Sequence, residues 1–321
     1  MSHTLDVVEG SVSEQFMHVD ELCDDLYTVR DFIRWAISRC NQAEIFQGHG
    51  YDDLWDEAVA LVLYAVNLPW DTDPRVQDGR LTRAEKRNVI ELLKRRITER
   101  IPTAYLTGVG WFVGLPFKVD ERVLIPRSPI GELIEQQFQP WIEPGGVNAV
   151  LDMCTGSGCI GIACAAAFPE AVVECTDISH DALAVAEKNV ALHSMDEQVH
   201  LIYSDLFDAL DGRRYDIIVS NPPYVDALDM ASLPDEYRHE PELALEAGDD
   251  GLDLVRKILS DLSRHLNPGG IAVIEVGNSW EALEEAYPGV PFTWLEFERG
   301  GHGVFLLTKD QIDHHQAELV G

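Results

Sequence analysis

Several patterns that would identify whole classes of protein are missing from this sequence. It has no run of 18 or more apolar residues, and the longest candidate, residues 58–68, suits a core helix better than a membrane span. The first residues, MSHTLDVVEGSVSEQ, are acidic and lack the basic flank and apolar stretch of a secretory signal. We therefore expect a cytoplasmic protein without a membrane partner.

Metal-binding and disulfide patterns are also missing. The six cysteines form no C-x-x-C pair, and the eleven histidines show no H-E-x-x-H or comparable spacing. Four cysteines lie within the apolar stretch 154–175, where small buried thiols are common. We expect free thiols in a reducing compartment, and we predict no metal site.

Basic residues are scarce, with 24 lysines and arginines against 56 acidic residues and a formal net charge of −32. Such a protein should be repelled by DNA and RNA and attracted to a basic protein. Stable nucleic-acid binding is therefore not expected. Solubility, for example in a salt-adapted host, is an equally good explanation of the acidity.

The chain changes character near residue 110. Residues 1–110 read as a helical domain, with one helix over 55–68 and another that opens with the capping box Thr82-x-x-Glu85 and runs through Ile97. Short β-like runs in residues 111–127 predict a hairpin or extended linker.

Residues 128–310 alternate between strand and helix patterns, and residues 311–321 read as a polar tail. Strands are predicted at 149–153, 172–176, 199–203, 217–219, 271–276, 292–298 and 304–308, and helices at 130–141, 160–167, 182–193, 252–266 and 280–287. This alternation predicts an α/β fold with a doubly wound, mostly parallel, seven-stranded Rossmann-like sheet. Ligands of such sheets bind at the carboxyl ends of the strands.

A glycine-rich turn, DMCTGSGCIG, follows the first of these strands. Gly156, Gly158 and Gly161 satisfy G-x-G-x-x-G, so a nicotinamide dinucleotide is one possible ligand. Asp152 would oppose a pyrophosphate but would suit the cationic methionine end of S-adenosylmethionine. Asp177 would then hold the ribose hydroxyls, and Asp205 would lie near the adenine amine. The alternative is that Asp152 and Asp205 cap helices.

The fourth strand runs directly into Asn221-Pro222-Pro223-Tyr224. Because proline lacks an N–H, the Pro222 carbonyl and the Asn221 side chain form an acceptor pair that could hold both hydrogens of an –NH₂ group. Tyr224 would supply a flat wall. These two hydrogen bonds would orient the nitrogen toward a methyl donor and stabilise the positive charge that develops on the nitrogen. The alternative is a rigid structural turn.

Taken together, Asp152 to Ile162, the Asn221–Tyr224 motif and the strand order resemble class I S-adenosylmethionine-dependent methyltransferases with an N-P-P-Y motif. The segments IPTAYLTG, VLIPR and HEPELALEAGDDGLD are similar to the glutamine methyltransferases of the PrmB/HemK-like family. The resemblance implies a catalytic set of Asn221, Pro222 and Tyr224 and a helical domain that recognises the substrate protein. The predicted cofactor contacts are Asp152, Thr155, Gly156, Gly158, Asp177, Ile178, Asp205, Leu206 and Asn221.

The branch of the family that methylates a ribosomal protein of the large subunit matches better than the release-factor branch. Release-factor enzymes carry R-P-E-T-E where this chain has Arg127-Ser128-Pro129-Ile130-Gly131-Glu132. The resemblance therefore implies methylation of a glutamine side chain in the third protein of the large subunit. A release-factor enzyme, an adenine amino-methyltransferase, a dinucleotide-dependent oxidoreductase and a non-catalytic ribosome assembly factor remain as alternatives.

Overall fold

The computed structural model describes residues 19–51 and 53–320. The N-terminal segment on which the expectation about a secretory signal rests lies outside them. The chain divides between Thr107 and Gly108 into two compact units. The hairpin that the sequence analysis assigns to a linker belongs to the second unit.

The first unit is helical. Its helices are α1 (Val19–Asp25), α2 (Val29–Gln42), α3 (Leu54–Ala65), α4 (Arg83–Thr98) and α5 (Thr103–Thr107). The predicted capping box forms at the start of α4, where the Thr82 side chain accepts from the Glu85 N–H and the Glu85 carboxylate accepts from the Thr82 N–H. Apolar faces of α2, α3 and α4 meet in a core that includes Phe32, Val62 and Leu93.

The second unit begins with a hairpin and continues as a seven-stranded sheet. The strands are β1 (Val109–Phe112), β2 (Leu115–Lys118), β3 (Ala149–Met153), β4 (Val172–Asp177), β5 (Val199–Tyr203), β6 (Tyr215–Ser220), β7 (Leu266–Glu275), β8 (Thr293–Trp294) and β9 (Val304–Thr308). β1 and β2 pair with each other, and the sheet order is β5-β4-β3-β6-β7-β9-β8. The first five strands in that order are parallel, whereas β9 pairs antiparallel with both of its neighbours. The predicted α/β fold with a mostly parallel seven-stranded sheet is confirmed.

Eight helices of the second unit are described. They are α6 (Ile130–Glu135), α7 (Cys159–Ala167), α8 (His180–Leu192), α9 (Ala227–Ser232), α10 (Asp253–His265), α11 (Trp280–Ala286), α12 (Lys309–His314) and α13 (Gln316–Leu319). α6 is shorter than the predicted helix at 130–141, because Gln137 and Phe138 adopt positive φ angles of 52° and 54°. Left-handed backbone cannot continue an α-helix, and Pro140 lies two residues beyond Phe138.

Residues 309–319, most of which the sequence analysis assigns to a tail, form α12 and α13. Ile312 and Leu319 are seven positions apart, which places them on one face of a helical path. Both are buried in the core that the sheet forms with α10. Two apolar residues in a polar stretch are therefore enough to attach this end of the chain to the sheet.

The strand register brings the carboxyl ends of four strands to one edge. Asp152 of β3 pairs with Cys175 of β4, and Met153 of β3 pairs with Ser220 of β6. Asp177 at the end of β4 pairs with Tyr203 at the end of β5. The loops that follow these four strands therefore meet in one region. No helix among the described residues is long and apolar enough to cross a membrane.

Candidate active site

A cavity of about 280 Å³ lies at this edge of the sheet. The predicted cofactor residues that line it are Thr155, Gly156, Asp177, Ile178, Asp205, Leu206 and Asn221. We call it the cofactor cavity. Two predicted residues, Asp152 and Gly158, are absent from its wall.

The turn between β3 and α7 depends on left-handed backbone. Gly156 and Gly158 have φ angles of +55° and +80°, which residues with a Cβ rarely adopt. Gly158 is also the N-cap of α7 and therefore cannot offer a capping side chain. Open space of at least 4 Å surrounds the Cβ position of Gly156, which leaves the backbone of the turn accessible to a ligand.

Gly161 has a packing role instead. A Cβ built on it would lie 2.2 Å from the Cys175 Sγ of β4, far inside van der Waals contact. The third glycine of the motif therefore allows α7 to pack closely on the sheet, and it does not line the cavity.

Asp152 stabilises the turn between β3 and α7 through hydrogen bonds. Its Oδ2 accepts from the Gly161 N–H at 2.8 Å and from the Thr155 hydroxyl, while its Oδ1 has no hydrogen-bond partner among the described residues. Because Gly161 lies in the first turn of α7, Asp152 supplies the cap that Gly158 lacks. Burial raises the pKa of this carboxyl to about 7. The helix-capping alternative thus describes Asp152 better than the predicted contact with the methionine end of the cofactor.

Asp177 lies on the wall of the cofactor cavity. Its Oδ2 accepts from the Gly156 N–H at 2.9 Å and its Oδ1 from the Ser179 N–H at 2.8 Å. Burial raises the pKa of Asp177, and hydrogen bonds from the backbone of Ser179, Gly156 and Ile178 oppose that effect. Each carboxylate oxygen keeps a free lone pair, so Asp177 can accept two further hydrogen bonds from a ligand.

The loop after β5 carries Asp205 and Leu206. Asp205 is exposed, and Leu206 has a left-handed φ of 49°. The buried Ser204 stabilises this loop, because its hydroxyl donates to the Leu206 carbonyl at 2.8 Å and accepts from the Ala209 N–H at 3.0 Å. The loop therefore presents one carboxylate and one apolar side chain to the cavity.

Asn221 lies between the cofactor cavity and a second cavity of about 440 Å³. Asn221 directly follows β6. The last residue of β6, the buried Ser220, donates its hydroxyl to the Met153 carbonyl of β3 at 2.8 Å. Pro222 and Tyr224 line the second cavity only. Residues of this four-residue motif therefore line both cavities, and Asn221 is the one that lines the two of them.

Tyr224 is held from two directions. Its hydroxyl donates to the Glu275 Oε1 at 2.9 Å, and its carbonyl accepts from the Ser279 hydroxyl at 2.8 Å. A Cβ on Gly277 would lie 2.4 Å from the tyrosine ring, so only glycine leaves room for the ring. The EVGNS segment, residues 275–279, therefore orients the ring.

Arg127, which is partly exposed, and the buried Glu240 form an ion pair beside both cavities. The Arg127 Nη2 donates to the Glu240 Oε2 at 2.7 Å, and the Ile125 N–H donates to the Glu240 Oε1 at 3.1 Å. Glu240 raises the pKa of Arg127 against the opposing effect of burial. Arg127 lines the cofactor cavity and the second cavity.

Several residues around the cavities were not found by the sequence analysis. The segment 122–128 lines one side of the cofactor cavity, and Pro241, Leu243 and Ala244 contribute another part. Both stretches fall in motifs, VLIPR and HEPELALEAGDDGLD, that were noted only for their family resemblance. Arg127 and Glu240 are 113 residues apart, and nothing local in the sequence indicates that they pair.

Comparisons with known proteins identify the family of this chain. Residues 139–234 match the family model of the methyltransferase small domain. A ribosomal protein uL3 glutamine methyltransferase of Francisella tularensis is 49% identical over 293 residues, which cover 91% of this chain and 93% of the relative. A protein of the same name from Xanthomonas campestris is 50% identical over 92% of this chain and 96% of the relative.

Among solved structures, the hMettl16 catalytic domain in complex with MAT2A 3′UTR hairpin 6 is similar, with a TM-score of 0.48 and 19% identity over 70% of this chain and 80% of that one. The family that the sequence motifs resemble is confirmed by the two curated relatives. This chain belongs to the family of ribosomal protein uL3 glutamine methyltransferases.

Proposed function

We propose that this chain transfers a methyl group from S-adenosylmethionine to the side-chain amide nitrogen of a glutamine in ribosomal protein uL3. The substrate is the one in the names of both curated relatives. The observation that carries the proposal is the position of Asn221 between two cavities. One cavity would hold the methyl donor, and the other would admit the glutamine side chain.

The residues of the cofactor cavity fit S-adenosylmethionine. Asp177 has a free lone pair on each oxygen, which suits the two hydroxyls of a ribose. Ile178 and Leu206 offer apolar surface for the adenine ring, and Asp205 offers an acceptor for its amine. When bound, S-adenosylmethionine supplies a methyl carbon whose bond to a positively charged sulfur breaks, with the electron pair left on sulfur, as the carbon passes to the amide nitrogen.

Asn221 and Pro222 would orient the amide. The Asn221 Oδ1 and the Pro222 carbonyl are acceptors, and the two consecutive prolines provide no competing N–H donors. Holding both amide hydrogens directs the remaining lobe of the nitrogen toward the cofactor cavity. The nitrogen gains positive charge as it is methylated and then loses one proton to solvent, so no strong base is needed before attack.

The charge of the protein fits a basic substrate. The net charge of −32 would draw a basic ribosomal protein toward the enzyme and repel naked nucleic acid. We assign recognition of the substrate protein to the helical domain, residues 1–110, and we place the protein in the cytoplasm, where ribosomal proteins are modified.

A methylation assay tests this function. Purified uL3 is incubated with the protein and tritiated S-adenosylmethionine, in parallel with a release factor, DNA and RNA, and the modified residue is located by mass spectrometry. We expect one methyl group on one glutamine of uL3. Label on the release factor or on nucleic acid, and none on uL3, would refute the proposal.

The Asn221→Ala variant tests the proposed grip on the amide. We expect the rate constant of methylation to fall about a hundredfold or more, as when a preorganised polar group is removed from other active sites. S-adenosylmethionine affinity, measured by calorimetry, should stay within about threefold, since Asp177 is intact. Asn148→Ala, an exposed residue before β3, is the matched control and should keep full activity.

A further inference from the structure

We propose that Glu275 provides the negative charge that stabilises the substrate nitrogen as it becomes cationic during methyl transfer. This inference rests on the proposed function and assigns a further residue to it. Glu275 is the last residue of β7 and lines the second cavity together with Asn221 and Pro222. Glu275 therefore borders the same cavity as the proposed acceptor pair.

Both carboxylate oxygens of Glu275 accept a hydrogen bond from a hydroxyl group. The Ser128 hydroxyl donates to its Oε2 at 2.6 Å, and the Tyr224 hydroxyl donates to its Oε1 at 2.9 Å. Both donors are neutral, and the residue is only 5% exposed. Glu275 forms no ion pair within the described part of the chain, so its charge is compensated only by neutral dipoles and by more distant groups.

The other charged groups at this cavity are already engaged. Arg127 is bound by Glu240 in a bidentate pair, and its guanidinium lies 5.2 Å from the centroid of the Tyr237 ring. Asp229 and His302 each bind the side chain of Asn278. Arg127 lowers the pKa of Glu275, whereas burial, the larger effect, raises it.

The buried charge has a direct consequence for the reaction. Before transfer the positive charge belongs to the methyl donor in the cofactor cavity, and during transfer it spreads onto the amide nitrogen beside Glu275. A carboxylate that two hydroxyl groups hold in place stabilises that shift without having to reorient. The same charge would oppose a glutamate side chain, so it also favours an amide over a carboxylate substrate.

The Glu275→Gln variant removes the charge and keeps the shape. We expect kcat on uL3 to fall about tenfold to a hundredfold, by analogy with removal of other preorganised groups. The KM for uL3 and the affinity for S-adenosylmethionine should stay within about threefold, because neither is bound mainly through this charge. The matched control is Glu132→Gln, a buried carboxylate outside both cavities that accepts from two backbone N–H groups.

The dependence of kcat on pH distinguishes a role of the Glu275 charge from a role of the shape of its side chain. Wild-type kcat should fall at acid pH as Glu275 takes up a proton, and Glu275→Gln should lack this acid limb. The groups that face Glu275 do not supply the same limb, because the Tyr224 pKa is raised well above its usual value and the Arg127 pKa is raised. Asp229→Asn and His302→Ala, in the same cavity, are further controls that should keep the acid limb.

The outcomes distinguish this inference from the proposed function. Wild-type protein that does not methylate uL3 overturns both. If the wild type is active but Glu275→Gln has an unchanged kcat or keeps the acid limb, the role of Glu275 is overturned and the proposed function stands. If that variant does not fold, as judged by its thermal transition, the wild-type profile decides, and a kcat that stays constant down to about pH 4, near the ordinary pKa of a glutamate, overturns the inference.

Discussion

Asp152 shows how one carboxylate can organise the turn beside a cavity without lining that cavity. Its Oδ2 holds both the Thr155 hydroxyl and the Gly161 N–H, and thereby joins the end of β3 to the first turn of α7. Its environment disfavours charge, since the residue is fully buried and its Oδ1 has no partner among the described residues. The cost of this arrangement is a carboxyl group that titrates near neutral pH.

The Asp152→Asn variant tests how the raised pKa of Asp152 affects the free energy of unfolding. A raised pKa in the folded state means that the folded protein binds more protons than the unfolded one between the ordinary aspartate pKa of 3.8 and about 7. Wild-type stability should therefore fall relative to the variant as pH rises through this window, by a few kcal/mol at most, and then level off. Urea unfolding of both proteins at pH 5 and pH 8 measures the effect, and an equal difference at the two pH values would contradict it.

At the scale of elements, the Arg127–Glu240 pair connects two segments that line the cavities. One is the stretch after β2 that contains Ile125 and Arg127, and the other is the loop between α9 and α10 that contains Glu240. Parallel strands fix only the ends of loops, so long loops need contacts of their own. This ion pair supplies such a contact directly beside Asn221.

A double-mutant cycle tests the pair. Glu240→Leu leaves a guanidinium that is only 21% exposed without its carboxylate. We expect the free energy of unfolding to fall by about 3 kcal/mol, the lower end of the range for fully buried pairs. Arg127→Met combined with Glu240→Leu should recover most of that loss, except for about 1 kcal/mol from the lost acceptor of the Ile125 N–H. Urea unfolding of the four proteins gives the coupling energy, and strictly additive changes would show that the pair is not coupled.

At the scale of the whole molecule, the net charge of −32 acts on stability and on binding in opposite directions. Like charges repel within the folded protein, which lowers its stability at low salt. The same charge would accelerate the approach of a basic substrate. Added salt screens both effects, since the Debye length falls from about 30 Å at 0.01 M to about 8 Å at 0.15 M.

We therefore predict two opposite responses to salt. Between about 0.01 and 0.15 M salt the thermal transition should move to higher temperature, while kcat/KM for uL3 should decrease severalfold. The kcat at saturating uL3 should change little, because screening acts mainly on association. Differential scanning calorimetry and initial rates measure these changes. A kcat/KM that does not depend on salt would argue against electrostatic attraction of the substrate.

The sequence by itself determined the kind of fold and the chemistry of its central motif. Apolar runs bounded by turn residues located all seven strands of the sheet, because strand periodicity and turn formation are local properties. The predicted bounds differ from the observed ones by up to five residues, at the start of β7. Two of the three left-handed positions in the turn after β3 are glycines, the third being Cys154, and the consecutive prolines after β6 stiffen the backbone there. These features depend on neighbouring residues, so they can be read from the chain alone.

Only the tertiary structure decided where each polar group points and which distant groups meet. It turned Asp152 toward α7 rather than toward the cavity, and it joined Arg127 to Glu240 across 113 positions. It also placed Asn221 between two cavities. The physical reason is the same in each case: burial and pairing depend on how strands and loops pack, and residues far apart in sequence carry no local signal of their contact.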